Sequence, residues 1–230
     1  LTARPPSQIP FDLSPTPSLA RDDLVVGEGN ALAAGAIDAW PEWPHPVLLV
    51  VGPVGSGKTH LATAWAEMAG ATPLLPGEPA STLISQTPFA VLVEDVDRAG
   101  FDETELFQLL NAARLGGGSV LLTSRLPASA LPFQLPDLLS RLRAATVVDL
   151  LAPDEMLLSG VLMKLAADRQ IELEPKLIDY AVARMERSLE AAAELIRRLD
   201  LEALASKERM SRALVGRILT EMEEERARQS

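Results

Sequence analysis

The sequence predicts an α/β protein: a parallel sheet with helices on both faces, followed by a small all-helical domain. Three observations carry that expectation. Short apolar runs at Val47–Val51, Phe89–Val93 and Ser119–Thr123 read as strong strands, the first two as buried ones, and Thr146–Leu150 reads as a fourth strand. Segments of helical character fall between them, and strand alternating with helix builds a parallel sheet. After Pro153 no β-rich run follows, and four helical segments fill the rest of the chain.

Taken in order, the chain opens on an extended tail, residues 1–21. Pro5, Pro6, Pro10, Pro15 and Pro17 lie within it, too many for a helix or a central strand. Residues 30–40 read as a short apolar helix, and 41–46 (PEWPHP) as a proline-bounded loop. After the first strand, Leu61–Ala69 reads as a helix stopped by Gly70. Thr72–Leu75 is a short strand candidate. Glu103–Leu115 reads as a helix that ends in Gly116-Gly117-Gly118. The C-terminal helices are expected over Asp154–Arg169, Pro175–Arg187, Ser188–Ser206 and Ser211–Arg228, with Pro175 at a helix start and Ser211 as an N-cap. The expected domains are therefore the tail (1–21), an α/β domain (22–151) and a helical domain (152–230).

Composition excludes several kinds of chemistry. The 230 residues include no cysteine, which removes disulfides, thiolate metal sites and a cysteine nucleophile. Two histidines, His45 and His60, are too few for a histidine metal cluster. Lys and Arg total 21 against 32 Asp and Glu, a formal charge of −11. Nucleic-acid binders neutralise phosphates with a basic face, so this balance argues against DNA as the direct main partner, while a local basic patch stays compatible with it. The tail has no apolar core of a signal peptide, and no apolar run approaches a membrane span. The expected location is the cytoplasm.

The chemistry rests on Gly52-Pro53-Val54-Gly55-Ser56-Gly57-Lys58-Thr59, which fits G-x-x-x-x-G-K-[ST] between a strong strand and a helix. Gly52, Pro53, Gly55, Ser56 and Gly57 would curl the backbone so that N–H groups face phosphate oxygens. The helix start adds a positive dipole end, Lys58 neutralises phosphate charge, and the Thr59 hydroxyl is a Mg²⁺ ligand. Such a site needs an acid at the end of a neighbouring strand, and Glu94-Asp95 follows Phe89–Val93. Thr123, at the end of the third strong strand, is a candidate for contact with the terminal phosphate or its attacking water.

These residues resemble an AAA+ ATPase domain, and within that superfamily the initiator clade that includes DnaA. Asp23–Asn30 (DLVVGEGN) resembles the stretch that lines the adenine pocket, which points to Val25 and Val26. Gly52–Leu61 resembles the clade's Walker A segment, with His60 following the Lys-Thr pair. Glu105–Asn111 resembles the helix after Walker B, and Leu135–Leu142 (LPDLLSRL) the segment that carries the arginine finger. The resemblance spans about residues 22–206 and implies ADP or ATP with Mg²⁺ as cofactors. It implies Arg141 as the arginine finger, with Arg143 as fallback, and Arg187 as the sensor-2 arginine. The tail adds Gln8, Ile9, Phe11 and Leu13 in a pattern that resembles a sliding-clamp-binding peptide, an extended segment with alternate apolar anchors.

Together these features resemble the Hda family of DnaA-related regulators. That resemblance implies docking on the DNA polymerase III sliding clamp (its β subunit) and contact with ATP-bound DnaA. The regulator would stimulate hydrolysis of the DnaA-bound ATP and so restrain replication initiation. It implies no sequence-specific DNA binding and no membrane, and it leaves homo-oligomerisation open. The alternative class is a helicase loader or transposition helper of the DnaC/IstB type. Two departures bear on the chain's own ATPase activity. Glu94 then Asp95 stand where the usual order is Asp and then a second acid, and Arg125 directly follows Thr123-Ser124 where DnaA-like chains insert an Asp. Misplacing a catalytic carboxylate by about 1 Å can cost about 10²-fold. Both departures favour a nucleotide-holding switch and ATPase activator over an efficient ATPase.

Overall fold

A computed structural model describes residues 19–98, 100–206 and 210–229. Gln8, Ile9, Phe11 and Leu13 lie outside the described residues. The described chain forms two compact units, one from Leu19 to Ala152 and one from Pro153 onward.

The first unit runs α1 (Ala31–Asp38), β1 (Val47–Val51), α2 (Lys58–Ala69), β2 (Thr72–Pro73), α3 (Ser81–Ile84), β3 (Phe89–Val93), α4 (Glu103–Ala112), β4 (Gly118–Ser124), α5 (Pro136–Ala144) and β5 (Thr146–Asp149). The five strands form one parallel sheet in the order β2-β3-β4-β1-β5. β1 lies between β4 and β5, with Leu49 opposite Leu122 on one side and Val147 on the other.

Alternation along β1 explains why both faces are covered. Successive strand residues point to opposite faces. Val47, Leu49 and Val51 join Val91, Val93, Val120 and Leu122 against Leu106, Leu109 and Leu110 of α4 and Leu138 and Leu142 of α5. Leu48 and Val50 join Leu92 and Leu121 against Ile37 of α1 and Leu61 and Trp65 of α2. All five residues of β1 are buried, so the run reads as continuously apolar. The three tryptophans close one end of the second layer. Trp43 stacks on Trp65 at 5.3 Å between ring centres, and Trp40 meets Trp65 edge-on at 6.4 Å.

Several boundaries differ from the sequence reading. α2 starts at Lys58, three residues earlier than expected, because the glycine-rich loop leads straight into it. α4 ends at Ala112 and loosens into a π turn over Ala113–Gly117, where Gly116 takes φ 90°. β2 shortens to two residues, although Leu74 N–H still donates to the Leu92 carbonyl at 2.8 Å. α3 and α5 were not expected as helices. Pro136 opens α5, where its missing N–H costs nothing, and Leu138 and Leu142 bury one turn apart.

The second unit contains α6 (Glu155–Asp168), α7 (Pro175–Val182), α8 (Leu189–Ser206) and α9 (Arg212–Gln229). Its own core includes Leu158, Leu162, Ile178, Leu195, Ile196 and Ile218. α7 stops at Val182 rather than Arg187. The chain then turns, and the Ser188 hydroxyl caps the next helix by accepting the Ala191 N–H at 3.0 Å. Among the described residues no helix is long and apolar enough to cross a membrane.

Leu49 sits on the interior strand β1 with no exposure, and Leu32 on α1 is 83% exposed. Leu49→Ala should cost about 2–5 kcal/mol through lost burial and a cavity, and Leu32→Ala within about 0.5 kcal/mol of zero. Urea unfolding midpoints at constant m-value measure both.

Candidate functional site

The site is built where β1 stops. Gly52 N–H donates to the Ser124 carbonyl of β4 at 3.1 Å, and Leu150 N–H donates to the Val51 carbonyl at 2.7 Å. A Cβ at Gly52 would lie 2.8 Å from the Leu150 Cβ, the Leu150 carbonyl oxygen and the Ser56 Oγ, so no larger residue fits without displacing β5's end. Gly55 and Gly57 take φ of 73° and 96°, left-handed conformations that glycine alone adopts without penalty. The loop thereby closes on itself and delivers the chain into α2. Gly57 has no side chain to cap that helix, so the positive end of a 12-residue helix faces the loop.

Lys58 is nearly buried. Its Nζ donates to the carbonyls of Gly52 and Pro53, each at 2.8 Å. The Ser56 hydroxyl donates to the same Pro53 carbonyl at 2.9 Å. An ammonium held inside a ring of backbone, at a helix start, is a cradle for the oxygens of a phosphate chain.

The acids at the end of β3 stand beside it. Glu94 lies near the Thr59 side chain, the two residues expected as metal ligands. Burial pushes the Glu94 carboxyl above the usual carboxylate range, and the neighbouring Asp95 charge adds to this, while the Thr59 contact opposes it. Mg²⁺ is usually held by one or two protein groups together with substrate phosphates. Thr59 and Glu94 fit that donor set. Among the described residues no group of three or more His, Asp or Glu side chains forms a self-sufficient metal site.

Asp95 has φ 48°, unusual for a residue with a side chain. Its N–H donates to the Thr123 Oγ1 at 2.8 Å, the Val96 N–H donates to the Thr123 carbonyl at 2.9 Å, and its carboxylate lies 3.5 Å from Arg98. Thr123 was expected to face the terminal phosphate or its water. It is 1% exposed, and its hydroxyl accepts the Asp95 N–H, which ties the segment after β3 to β4.

The stretch expected to line adenine is fixed by Asn30, which the sequence reading did not single out. Its side chain accepts from Gly27 N–H at 2.7 Å and donates to the Val25 carbonyl at 2.9 Å. Leu151 N–H donates to the Gly29 carbonyl at 3.0 Å, which ties this turn to the same end of β5 that abuts Gly52. Val26, Val54 and Leu151 are exposed on these joined segments and offer apolar surface to a planar base. His60 contacts the chain before α1, with Nε2 3.3 Å from the Ala20 carbonyl.

Arg141 and Arg187 lie away from this loop in sequence, and each has a local partner. Arg141 Nη2 donates to Asn111 Oδ1 of α4 at 3.2 Å, its guanidinium sits 6.0 Å from the Phe107 ring centre, and its Nε is buried without a partner. Arg143, two residues on, is exposed. Arg187, in the helical unit, donates to Glu155 Oε1 at 2.8 Å, with both side chains exposed. A further pair was invisible in sequence. Asp97, only 2% exposed in its side chain, accepts from both the backbone N–H and the Nε of Arg125 at 3.0 Å. Burial pushes the Asp97 carboxyl up, but the two Arg125 hydrogen bonds and its charge outweigh this and hold it below the usual range.

No protein-family model matches the sequence. Solved structures do resemble the fold. Domain III of the Thermotoga maritima replication initiation protein DnaA has TM-score 0.77 and 19% identity, covering 90% of this chain and 97% of that one. AMPPCP-bound DnaA from Aquifex aeolicus has TM-score 0.64 and 21% identity, covering 81% of this chain and 66% of that one. A P216G mutant of Thermotoga maritima RuvB has TM-score 0.69 and 17% identity, covering 88% and 72%. At these identities the likeness is one of fold: the chain has the AAA+ fold, a parallel α/β sheet followed by a helical region.

Arg125→Ala should strand the Asp97 carboxylate. The expected loss at pH 7 is about 1–3 kcal/mol, less than for a fully buried pair because Arg125 reaches solvent. In the unaltered protein Asp97 stabilises the fold above the ordinary carboxylate pKa, and this is lost as pH falls through its depressed folded value. In the variant that depression disappears. The difference between the two proteins should therefore be largest near neutrality and shrink below about pH 4. Urea unfolding across pH 3.5–7 tests the sign.

Proposed function

We propose that this chain is an adenine-nucleotide-binding AAA+ switch of the DnaA-related kind, and that it acts as a regulator more than as an ATPase. The observation that carries the reading is the loop at 52–59, where Gly52 admits no Cβ, Lys58 is held inside the backbone ring and Glu94 lies near Thr59. In this reading the loop and the α2 N-terminus hold the phosphates, with Gly52, Pro53, Gly55, Ser56, Gly57 and Lys58 around them. Thr59 and Glu94 hold Mg²⁺, which supplies charge neutralisation at the phosphates. Val25 and Val26 line the base, with His60 supporting the segment that precedes them. Arg187 couples the helical domain, the lid in this reading, to nucleotide state.

Asp95 stands where a water-activating carboxylate belongs. Its backbone is held by Thr123 and its carboxylate is turned toward Arg98. That placement, with the Glu94-Asp95 order in the chain, supports nucleotide retention over turnover. ADP is the expected resident form.

The finer reading follows the sequence resemblance. The tail segment with Gln8, Ile9, Phe11 and Leu13 docks on the sliding clamp, and Arg141 acts in trans on ATP bound to DnaA, restraining replication initiation. An arginine supplied in trans is worth about 10³–10⁵ in rate in comparable systems. Asn111 and Phe107 pre-orient the Arg141 side chain.

Two experiments test the reading in turn. Calorimetry with ADP and Mg²⁺ should show binding that Lys58→Ala weakens at least about a hundredfold, the scale of two or more lost charge-assisted contacts. Comparable binding by both proteins would contradict the site. Separately, hydrolysis of DnaA-bound ATP in the presence of clamp and DNA should accelerate on adding this protein. Arg141→Ala should abolish that acceleration while leaving ADP affinity unchanged. No acceleration by the unaltered protein would contradict the regulator, and binding to a replicative helicase would then support a loader.

A further inference from the structure

The helical unit carries nine arginines among its described residues, and seven of them pair with a carboxylate: Arg169, Arg187, Arg197, Arg198, Arg217, Arg226 and Arg228. Arg184 and Arg212 are the exceptions. Both place their guanidinium against one ring, that of Tyr180, at 5.4 and 4.4 Å from its centre. The two charges are therefore close together, and both residues are exposed. Neither has a carboxylate partner among the described residues, in a chain of formal charge −11. Asp179, exposed and next to Tyr180 in sequence, forms no ion pair with either, and the nearby Glu186 is taken by Arg226.

The arrangement is built into the packing. Tyr180 sits on α7 against α9, where a Cβ on Gly216 would fall 2.8 Å from the tyrosine hydroxyl. A glycine inside an 18-residue helix lowers its stability, so this one marks a close approach that seats the ring. Lys176 lies one turn before Tyr180 on the same face of α7, and Arg184 lies just past the helix end. The result is a short row of cations along one edge of an otherwise acidic unit.

We propose that this face, formed by Lys176, Tyr180, Arg184 and Arg212, binds the phosphodiester backbone of DNA without reading its sequence. The guanidinium fork matches phosphate geometry, and a stacked guanidinium keeps its N–H edges outward. A protein partner would meet an apolar core inside a polar rim. None of the exposed large hydrophobic side chains lies on α7 or on the first turns of α9, which favours a polyanion over a protein surface. The inference stands on the helical unit alone and does not depend on the nucleotide or regulator reading.

The test is fluorescence anisotropy of a labelled mixed-sequence DNA duplex, and of its single strand, with the full chain and saturating ADP and Mg²⁺. ADP keeps DNA phosphates from reporting on the loop at 52–59. Binding is expected at low salt and should weaken steeply as salt rises. Arg184→Glu/Arg212→Glu should bind at least about tenfold more weakly, with a shallower dependence on log salt. Lys176→Glu, at an exposed position outside the core, should weaken binding in the same direction, and it decides the matter should the double variant fail to keep its helical signal and thermal midpoint. Absence of binding by the unaltered protein at low salt overturns the proposal, and so does unchanged affinity in the folded variants. Capture of a poly-glutamate chain that DNA does not displace also overturns it, by assigning the face to an acidic protein.

Discussion

The contact on which the site depends is the approach of Gly52 to Leu150. β1 and β5 are parallel neighbours, and the Leu150 N–H to Val51 carbonyl bond carries their pairing to the last residue of β1. At the next residue the chain must turn within 2.8 Å of Leu150 and Ser56, which only a glycine permits. The same end of β5 holds the Gly29 carbonyl through Leu151. One strand end thus sets the position of two loops, and the apolar residues around them are left open to solvent. The sheet beneath is buried on both faces, so this end cannot drift without disturbing the core.

A second layer of polar contacts fixes the acids across the sheet. Thr123 of β4 takes the Asp95 N–H, and Arg125, just past β4, takes the Asp97 carboxylate. These contacts tie the segment after β3 to the end of β4, and they hold Asp95 in a left-handed conformation. Glu94 stays apart from that network, near Thr59 at the start of α2, where the proposed metal position lies. The two adjacent carboxylates thus have different surroundings, which is how like groups take unlike roles.

Much of this was readable in the sequence, and the parts that were not have physical reasons. The interior strands announce themselves because burial on both faces demands continuous apolar residues, as Val47–Val51 shows, whereas the edge strand β5 is only partly buried. The loop at 52–59 is legible because its glycines and Lys-Thr pair lie in one local stretch. Asp97 and Arg125 are 28 positions apart, and only the sheet order brings them together. Thr123 was placed at a strand end, but its contact with the Asp95 N–H was not legible, since sequence does not show which neighbour meets a hydroxyl. The end of α7 was set too late because Arg184–Arg187 lacks a strong helix breaker; the turn there is decided by the Ser188 cap on α8. The pairing of Arg184 and Arg212 around Tyr180 needs two helices to pack, and no local pattern encodes it.

The central claim is that the geometry around Lys58, Glu94 and Asp95 retains nucleotide and does not turn it over. The direct measurement is the nucleotide content of the purified full chain by anion-exchange chromatography after denaturation, followed by multiple-turnover hydrolysis of added ATP. The account predicts near-stoichiometric ADP carried through purification and negligible turnover by the isolated protein. A nucleotide-free protein with sustained ATP hydrolysis, abolished by Lys58→Ala, would contradict it.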